Sequence, residues 1–433
     1  MSLKNKFVEK ALPRVAEYKK LMADHADKEI GTVTIGSVLS GMKGVVSLLT
    51  DTSKLDPEEG IRFRGYSIPE LRELLPKAHP KGEPLPEGIF YLMLLGELPS
   101  DEDVAALSKD WAQRSALPGY IYGVLDSMPI DARPMAQFSA AILSMAASSK
   151  FYSAYMAGAG KKDYWDSTYE DIMDLIARIP RIAAYIYRRT YHENKQIEAD
   201  GSLDWAANLA HMMGYDNFEV HRLLRLYMFL HADHEGGNVS AHASHLVGSA
   251  LSNPYYAFSA GMNGLAGPLH GFANQEVIRW IQDMLNQIGK SCAEKDKIRD
   301  YVVKQLEAGK VIPGYGHAVL RKTDPRFTAQ LEFGKKYLPH DTMFQVVECL
   351  YEVVPEVLGN ISKIKNPWPN VDAASGVLLN HYGIKEFEFY TVLFGVSRSL
   401  GILAQLLWAR AYGLPIERPI SQPLEWFKQQ AEK

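Results

Sequence analysis

Apolar residues recur at helical spacing along most of the chain. Near the N-terminus, Phe7, Ala11, Val15, Tyr18 and Met22 share one side and charged residues the other, which predicts an amphipathic helix. Asp216-Asn217-Phe218-Glu219 has the form of a capping box, and the run after it to Leu230 is apolar on nearly every face. It therefore reads as a buried helix, which Gly236 and Gly237 should stop. Ser252-Asn253-Pro254 predicts a second start, with proline at the first helical position. A third helix should run from His270 through Gln275 to Leu285. Others are expected near 295–308, 341–353, 371–382 and 386–412, with Gly309, Gly383 and Gly413 just past three of their ends. The longest apolar stretch, Phe389 to Trp408, carries Arg398 at its middle, which fits a buried core helix better than a membrane span. Strand patterns are sparse. Short Val/Ile/Thr pieces between 31 and 66 are broken by Gly31, Gly36, Gly41, Gly44 and Gly60, so only small hairpins are expected there. The fold class is all-α with a minor β part near the N-terminus.

Length refines this. At 433 residues the chain exceeds the size at which one core usually stops growing, so two domains are expected. A net charge of −4 with no dominant basic patch gives no electrostatic footprint for nucleic acid, and an anionic substrate would need local basic pockets. Two cysteines far apart, Cys292 and Cys349, suit a reducing compartment rather than a disulfide scaffold. Glu9 and Glu17 are foreign to transit peptides, and no signal-peptide core is present; if the chain is imported, this reads as the mature form. Walker, GxGxxG, GxSxG and CxxC patterns are missing, which weakens nucleotide, dehydrogenase, serine esterase and redox readings.

Five segments can carry chemistry. GYGHAVLRKTDPR, Gly314 to Arg326, combines a glycine loop, His317, Arg321 and Arg326; exposed amides and guanidinium groups make an anion site, although a solvated surface turn reads the same way. GLAGPLHG, Gly264 to Gly271, puts His270 at or near a helix start, where the neutral ring is favoured and can donate to a developing enolate; a capping or core histidine is the alternative. NPWPNVDAASG, Asn366 to Gly376, sets Asp372 in a first helical turn. There it is either a common first-turn acid or a general base whose pKa the helix start should lower and desolvation raise.

In FGVSRSLG, Phe394 to Gly401, Arg398 sits in an apolar helix with Gly395 and Gly401 three positions away, leaving room above the guanidinium for a substrate carboxylate or an internal acid. HADHEGGNVSAHASH holds His231, His234, His242 and His245. Zinc binding is weakened by the glycine pair and by the lack of HExxH, so one ligand-contacting histidine among structural ones is favoured and no metal is expected. The sequon Asn238-Val239-Ser240 carries no meaning in a reducing compartment.

Taken in order, these segments resemble the citrate synthases, in particular the eukaryotic mitochondrial branch. The likeness also takes in LDPEEGIRFRGYSI, NPWPNVDA, TVLFGVSR and IERP, and covers most of the chain. It implies a nearly all-helical fold with a large domain, 1–271 and 378–433, and a small one, 272–377, closing over a cleft. It implies a homodimer in the mitochondrial matrix that joins acetyl-CoA to oxaloacetate, oxaloacetate binding first, with CoA as cosubstrate, no tightly bound cofactor, and neither nucleic-acid nor membrane partner. By resemblance, Asp372 removes a methyl proton, His270 stabilises the enolate and His317 polarises the ketone. His234, Arg326 and Arg398 hold carboxylates, and Arg418 reaches the partner's site. Val311, Gly314, Gly316 and Arg321 line the CoA site; Lys43 and Lys161 stand where animal relatives carry arginines, which keeps charge and loses paired donors. The segment 192–201 looks shortened relative to the animal enzymes. A 2-methylcitrate synthase using propionyl-CoA is the nearest rival, since one methylene shifts binding by only ~1–3 kcal/mol. A non-catalytic helical scaffold and a zinc hydrolase on the histidine cluster are the others.

Overall fold

The computed structural model describes residues 1–289, 294–317, 319–361 and 364–433; Cys292 lies outside them. Helices dominate and pack around Tyr390–Tyr412, which touches the helices Tyr164–Tyr191, Val239–Ser249, Pro254–Leu265, Pro86–Leu95, Phe218–Leu230 and Leu3–His25. Its sequence explains this. Apolar residues occupy every face, so the helix can exclude water only by being surrounded, and 94% of its most apolar window is buried within the protein. Each fully buried leucine or isoleucine on it contributes roughly 1.5–3 kcal/mol over exposure. Trp408 Nε1 donates to Leu94 O at 3.0 Å, and the helix ends at Gly413, in the left-handed region at φ 67°. The room predicted above Arg398 is filled by neighbouring chain. A Cβ on Gly395 would meet Met262 Sδ at 2.8 Å, and one on Gly401 would meet Asp233 at 2.4 Å.

The other predicted helices form with shifted ends. Asn217 rather than Asp216 caps Phe218–Leu230, accepting from Glu219 N at 2.7 Å, while Asp216 pairs with His211. That helix ends at Leu230, well before Gly236 and Gly237, because the chain turns at once to present residues 231–238 to the core helix. Asn253 caps Pro254–Leu265 as its sequence implies. The five helices Ala273–Ile288, Lys295–Glu307, Pro325–Tyr337, Thr342–Gly359 and Asp372–His381 pack largely on one another. Pro325–Tyr337 and Asp372–His381 also touch Phe218–Leu230.

The β part is smaller than 31–66. Residues Ile35–Leu39 make a short helix with a Thr34/Ser37 capping box, and only Ser53–Asp56, Gly60–Phe63 and Tyr66–Ser67 pair as an antiparallel sheet in that order. Its register sets Leu55 opposite Ile61 and Arg62 opposite Ser67. Gly60 (φ 85°) lets the hairpin press on Pro325, whose Cδ a Cβ would meet at 2.4 Å.

Candidate functional site

Two loops bonded to each other carry His317 and Asp372. Gly314 and Gly316 take φ of 78° and 88°, and the backbone they bend pairs with the 366–371 loop. Gly316 N donates to Trp368 O and Asn370 N to Gly314 O, both at 2.9 Å, while Asn370 Nδ2 reaches Gly316 O at 3.2 Å. Asn370 Oδ1 then accepts from Asp372 N at 3.0 Å, starting the helix that carries the carboxylate. A Cβ on Gly314 would meet Ala373 Cα at 2.9 Å, so no larger residue fits the crossing.

The histidines have defined tautomers. His317 Nδ1 accepts from the backbone N–H of Val319 (3.0 Å) and Leu320 (3.2 Å), which leaves the ring proton on Nε2. His270 Nε2 accepts from Ser240 N at 3.2 Å and lies 2.9 Å from Ser240 Oγ, which leaves its proton on Nδ1. His270 sits in a turn before Ala273, not on a helix. Its pKa is lowered to about 4 by burial first and the Arg398 guanidinium second. Burial and Arg326 likewise lower that of His317. Each ring is therefore a neutral donor at pH 7, through opposite nitrogens.

Asp372 moves the other way. Burial raises its pKa to about 6, Arg326 and Arg398 oppose the rise, and Asp324 adds to it. Burial thus wins over the helix start that should have lowered it.

Around these groups lie the predicted carboxylate holders. Arg398 is buried, donates from Nε to His231 O at 3.0 Å and from Nη1 to Asn238 Oδ1 at 3.4 Å, and stacks 4.7 Å over Phe394. Among the described residues no carboxylate forms an ion pair with it, and burial lowers its pKa to about 10. Arg326 is different. Nε and Nη2 clasp the buried Asp324 at 2.7–3.2 Å, so only Nη1 is left over from that pair. His234 stands 5.8 Å from His317, ring to ring, with its Nε2 buried and without a hydrogen-bond partner among the described residues. Arg326 and Arg398 both act on His234 and on Asp372, so these residues share one electrostatic neighbourhood.

The remaining candidates do not join them. Arg418 is exposed on the coil after Gly413, and Val311 is 82% exposed. Arg321 is exposed; its backbone N donates to Pro57 O and its Nη1 to Leu320 O, both at 2.8 Å. Lys43 is exposed, and Lys161 lines a separate cavity of about 660 Å³ with Arg410, His245 and Glu417. The four clustered histidines disperse: His231 Nδ1 meets Tyr227 O, His242 meets Glu417 and His245 meets Gln405. Among the described residues no group of three or more His, Cys, Asp or Glu could hold a metal ion.

Sequence reasoning missed Asp324, Asn238 and Ser240. The last two belong to the sequon; Asn238 caps a helix, Ser240 lies in its first turn, and they touch Arg398 and His270. The capping signal was legible, since Asn precedes a helical run.

A family model described as the citrate synthase C-terminal domain matches residues 41–420. The chain belongs to the citrate synthase family. Citrate synthase 4, mitochondrial, of Arabidopsis thaliana is 53% identical over 433 residues, covering 100% of this chain and 91% of the relative. The mitochondrial citrate synthase of Daucus carota is 54% identical over 415 residues, 96% and 88% of the two chains. The fold is that of the family too. A crystal structure of citrate synthase from Pyrobaculum aerophilum superposes with a TM-score of 0.78 at 27% identity, covering 92% of this chain and 98% of that one. A Thermoplasma acidophilum citrate synthase, solved as a ternary complex with carboxymethyl coenzyme A and oxaloacetate, has a TM-score of 0.73 at 23% identity, covering 88% and 94%.

Proposed function

We propose that His270, His317 and Asp372 are the catalytic groups with which this chain condenses acetyl-CoA, oxaloacetate and water to citrate and CoA. The observation that carries the reading is the pairing of two neutral histidines, protonated on opposite nitrogens, with a carboxylate raised to about pKa 6. A base must take a methyl proton from a thioester while a donor stabilises the enolate oxygen, and a second donor must polarise the ketone that the enolate attacks. Asp372 is the base, His270 Nδ1–H faces the enolate, and His317 Nε2–H faces the ketone. Arg398, His234 and the free edge of Arg326 take the two carboxylates of oxaloacetate. Arg398 is a buried cation that a carboxylate would neutralise, and His234 Nε2 gains a partner.

Closure of residues 272–377 against 1–271 and 378–433 then excludes water from the enolate. Val311, Gly314, Gly316 and Arg321 hold CoA as a cosubstrate, with no tightly bound cofactor. Arg418, exposed beyond Gly413, completes the partner's site in a homodimer, and Lys43 and Lys161 meet CoA phosphates with single rather than paired donors. The chain works in the mitochondrion, as an enzyme of the matrix. Exchange of acetyl-CoA methyl protons, followed with an oxaloacetate analogue that resists attack, tests the assignment. Exchange should occur in the parent protein and fall by about 10²- to 10⁴-fold in His270→Ala, a donor's share of the step. Undiminished exchange refutes the role of His270. Comparing turnover of acetyl-CoA and propionyl-CoA separates this reading from a 2-methylcitrate synthase.

A further inference from the structure

The loop that presents His234 is held from one side of the core helix. Arg398, Gly401 and Gln405 lie three and four positions apart, hence on one face. Arg398 Nε donates to His231 O, Gly401 N to Ala232 O at 3.0 Å, and Gln405 Nε2 to both Asp233 Oδ1 (2.7 Å) and Glu235 O (3.2 Å). Gln405 is 2% exposed and Asp233 fully buried. The two acceptors force the amide NH2 toward the loop and the amide oxygen toward His245 Nε2, 2.7 Å away, which must then carry its proton. On the far side Thr52 Oγ1 and Ser53 Oγ donate to Asp233 Oδ2 at 2.6 and 2.8 Å. Ser53 Oγ also accepts from Glu235 N at 2.9 Å, and Glu235 Oε1 accepts from Leu55 N at 2.5 Å. Glu235 adopts φ 60°, a left-handed conformation that a glutamate keeps only where its surroundings impose it.

We propose that Gln405 is a positioning residue for oxaloacetate, bracketing His234 by holding Asp233 and Glu235 on either side of it. The proposal rests on the reading that His234 takes a substrate carboxylate. Gln405 acts through the loop it holds, so it sets where His234 stands without touching the reacting atoms. Glutamate at 405 would oppose one carboxylate to another and lose the donor to Glu235 O. Asparagine at 233 would turn an amide nitrogen toward that glutamate while its oxygen still accepts from Thr52 and Ser53.

The test compares Gln405→Glu, Gln405→Leu, the double variant Gln405→Glu/Asp233→Asn, and His234→Gln in steady-state kinetics of the full-length enzyme. Gln405→Glu should raise KM for oxaloacetate about ten- to a hundredfold, the size of a lost charge-assisted hydrogen bond, with kcat and KM for acetyl-CoA changed less than about threefold. The double variant should recover to within about fivefold of the parent. Gln405→Leu, which adds no charge, should show a smaller rise in the same parameter and keeps the test open if the glutamate variant does not fold. Unchanged oxaloacetate KM in the Gln405 variants, with the expected loss in His234→Gln, overturns the bracketing alone. Equal losses in kcat and both KM values with no recovery in the double variant overturn it too, as merely structural. An unchanged KM in His234→Gln removes the parent reading, and the proposal with it.

Discussion

Asp372→Asn should make the protein more stable and nearly inactive. Asparagine keeps the size and the first-turn position but cannot ionise. The carboxyl moves from its ordinary 3.8 to about 6 on folding, a difference of about 2.2 units, equivalent to about 3 kcal/mol at 1.36 kcal/mol per unit. The folded chain binds this proton more tightly than the unfolded chain does. Folding therefore carries no penalty from Asp372 below pH 3.8; the penalty grows as pH rises toward 6 and is complete at pH 7. Against it stands the favourable helix-start interaction of an acid, about 0.3–1 kcal/mol, which the substitution also removes. The net expectation at pH 7.5 is a gain of roughly 2–3 kcal/mol. Spread over 433 residues at about 2.1 cal/mol/K each, that raises Tm by about 2–3 °C.

The assay is thermal unfolding of both proteins at equal concentration, at pH 7.5 and pH 5.0, beside turnover. From the same two pKa values, the burial penalty at pH 5 is about half that at pH 7.5, so the stability gap should shrink accordingly. Turnover should fall about 10²- to 10⁴-fold, as for loss of a general base. A variant that is less stable by 0.3–1 kcal/mol at both pH values, or one that retains activity, would identify Asp372 as an ordinary first-turn acid.

Three further outcomes follow from the same groups. The kcat/KM for acetyl-CoA at saturating oxaloacetate should fall with unit slope as Asp372 protonates, with the break above the empty-site value of about 6 because bound carboxylates neutralise Arg326 and Arg398, while His270, near 4, and His317 stay neutral and add no further ionisation up to pH 8; a break below about 6 would contradict this. Arg398→Met should leave stability unchanged or raised, since it removes a buried cation lacking a carboxylate, while weakening oxaloacetate binding by about 2–5 kcal/mol, measured by titration calorimetry. Arg418→Ala and Arg398→Met should each be nearly inactive alone, and subunits of the two mixed after partial denaturation should regain activity in heterodimers; no regain would place Arg418 outside the partner's site.

What was legible in the sequence depended on how local its cause was. The core helix could be read because its apolar residues cover every face, and Pro254 and Gly413 mark ends whatever lies around them. His317 and Asp372 could be singled out because glycines and prolines surround them. Their juxtaposition could not, because it depends on Gly314 and Gly316 pairing with residues more than fifty positions away. His270 is neutral, but not for the helix-start reason that its sequence suggests. It is not on a helix, and burial with Arg398 nearby lowers its pKa. Arg326 looked like a free anion binder, and only tertiary structure shows Asp324 already clasping it. Asp233 and Gln405 carried no signal, since each is meaningful only through partners some 170 residues off.

On the proposed roles, the arrangement also supplies a physical reason why oxaloacetate would bind before acetyl-CoA. Without substrate, the two guanidinium groups nearest Asp372 hold its pKa below the value that burial alone would produce. A lower pKa makes a weaker base toward a carbon acid. On the proposed roles, the carboxylates of oxaloacetate neutralise Arg398 and the open edge of Arg326, which removes that restraint. The same binding event would give the already buried Arg398 the carboxylate it lacks, so the charge in that neighbourhood becomes paired. The proposed closure would in turn remove water from around Asp372 and raise its pKa further. Acetyl-CoA arriving first would meet a carboxylate held down by two cations and an open cleft in which its enolate would be exposed to water. On these roles, Asp372 would reach full strength as a base only when the electrophile it serves is already in place.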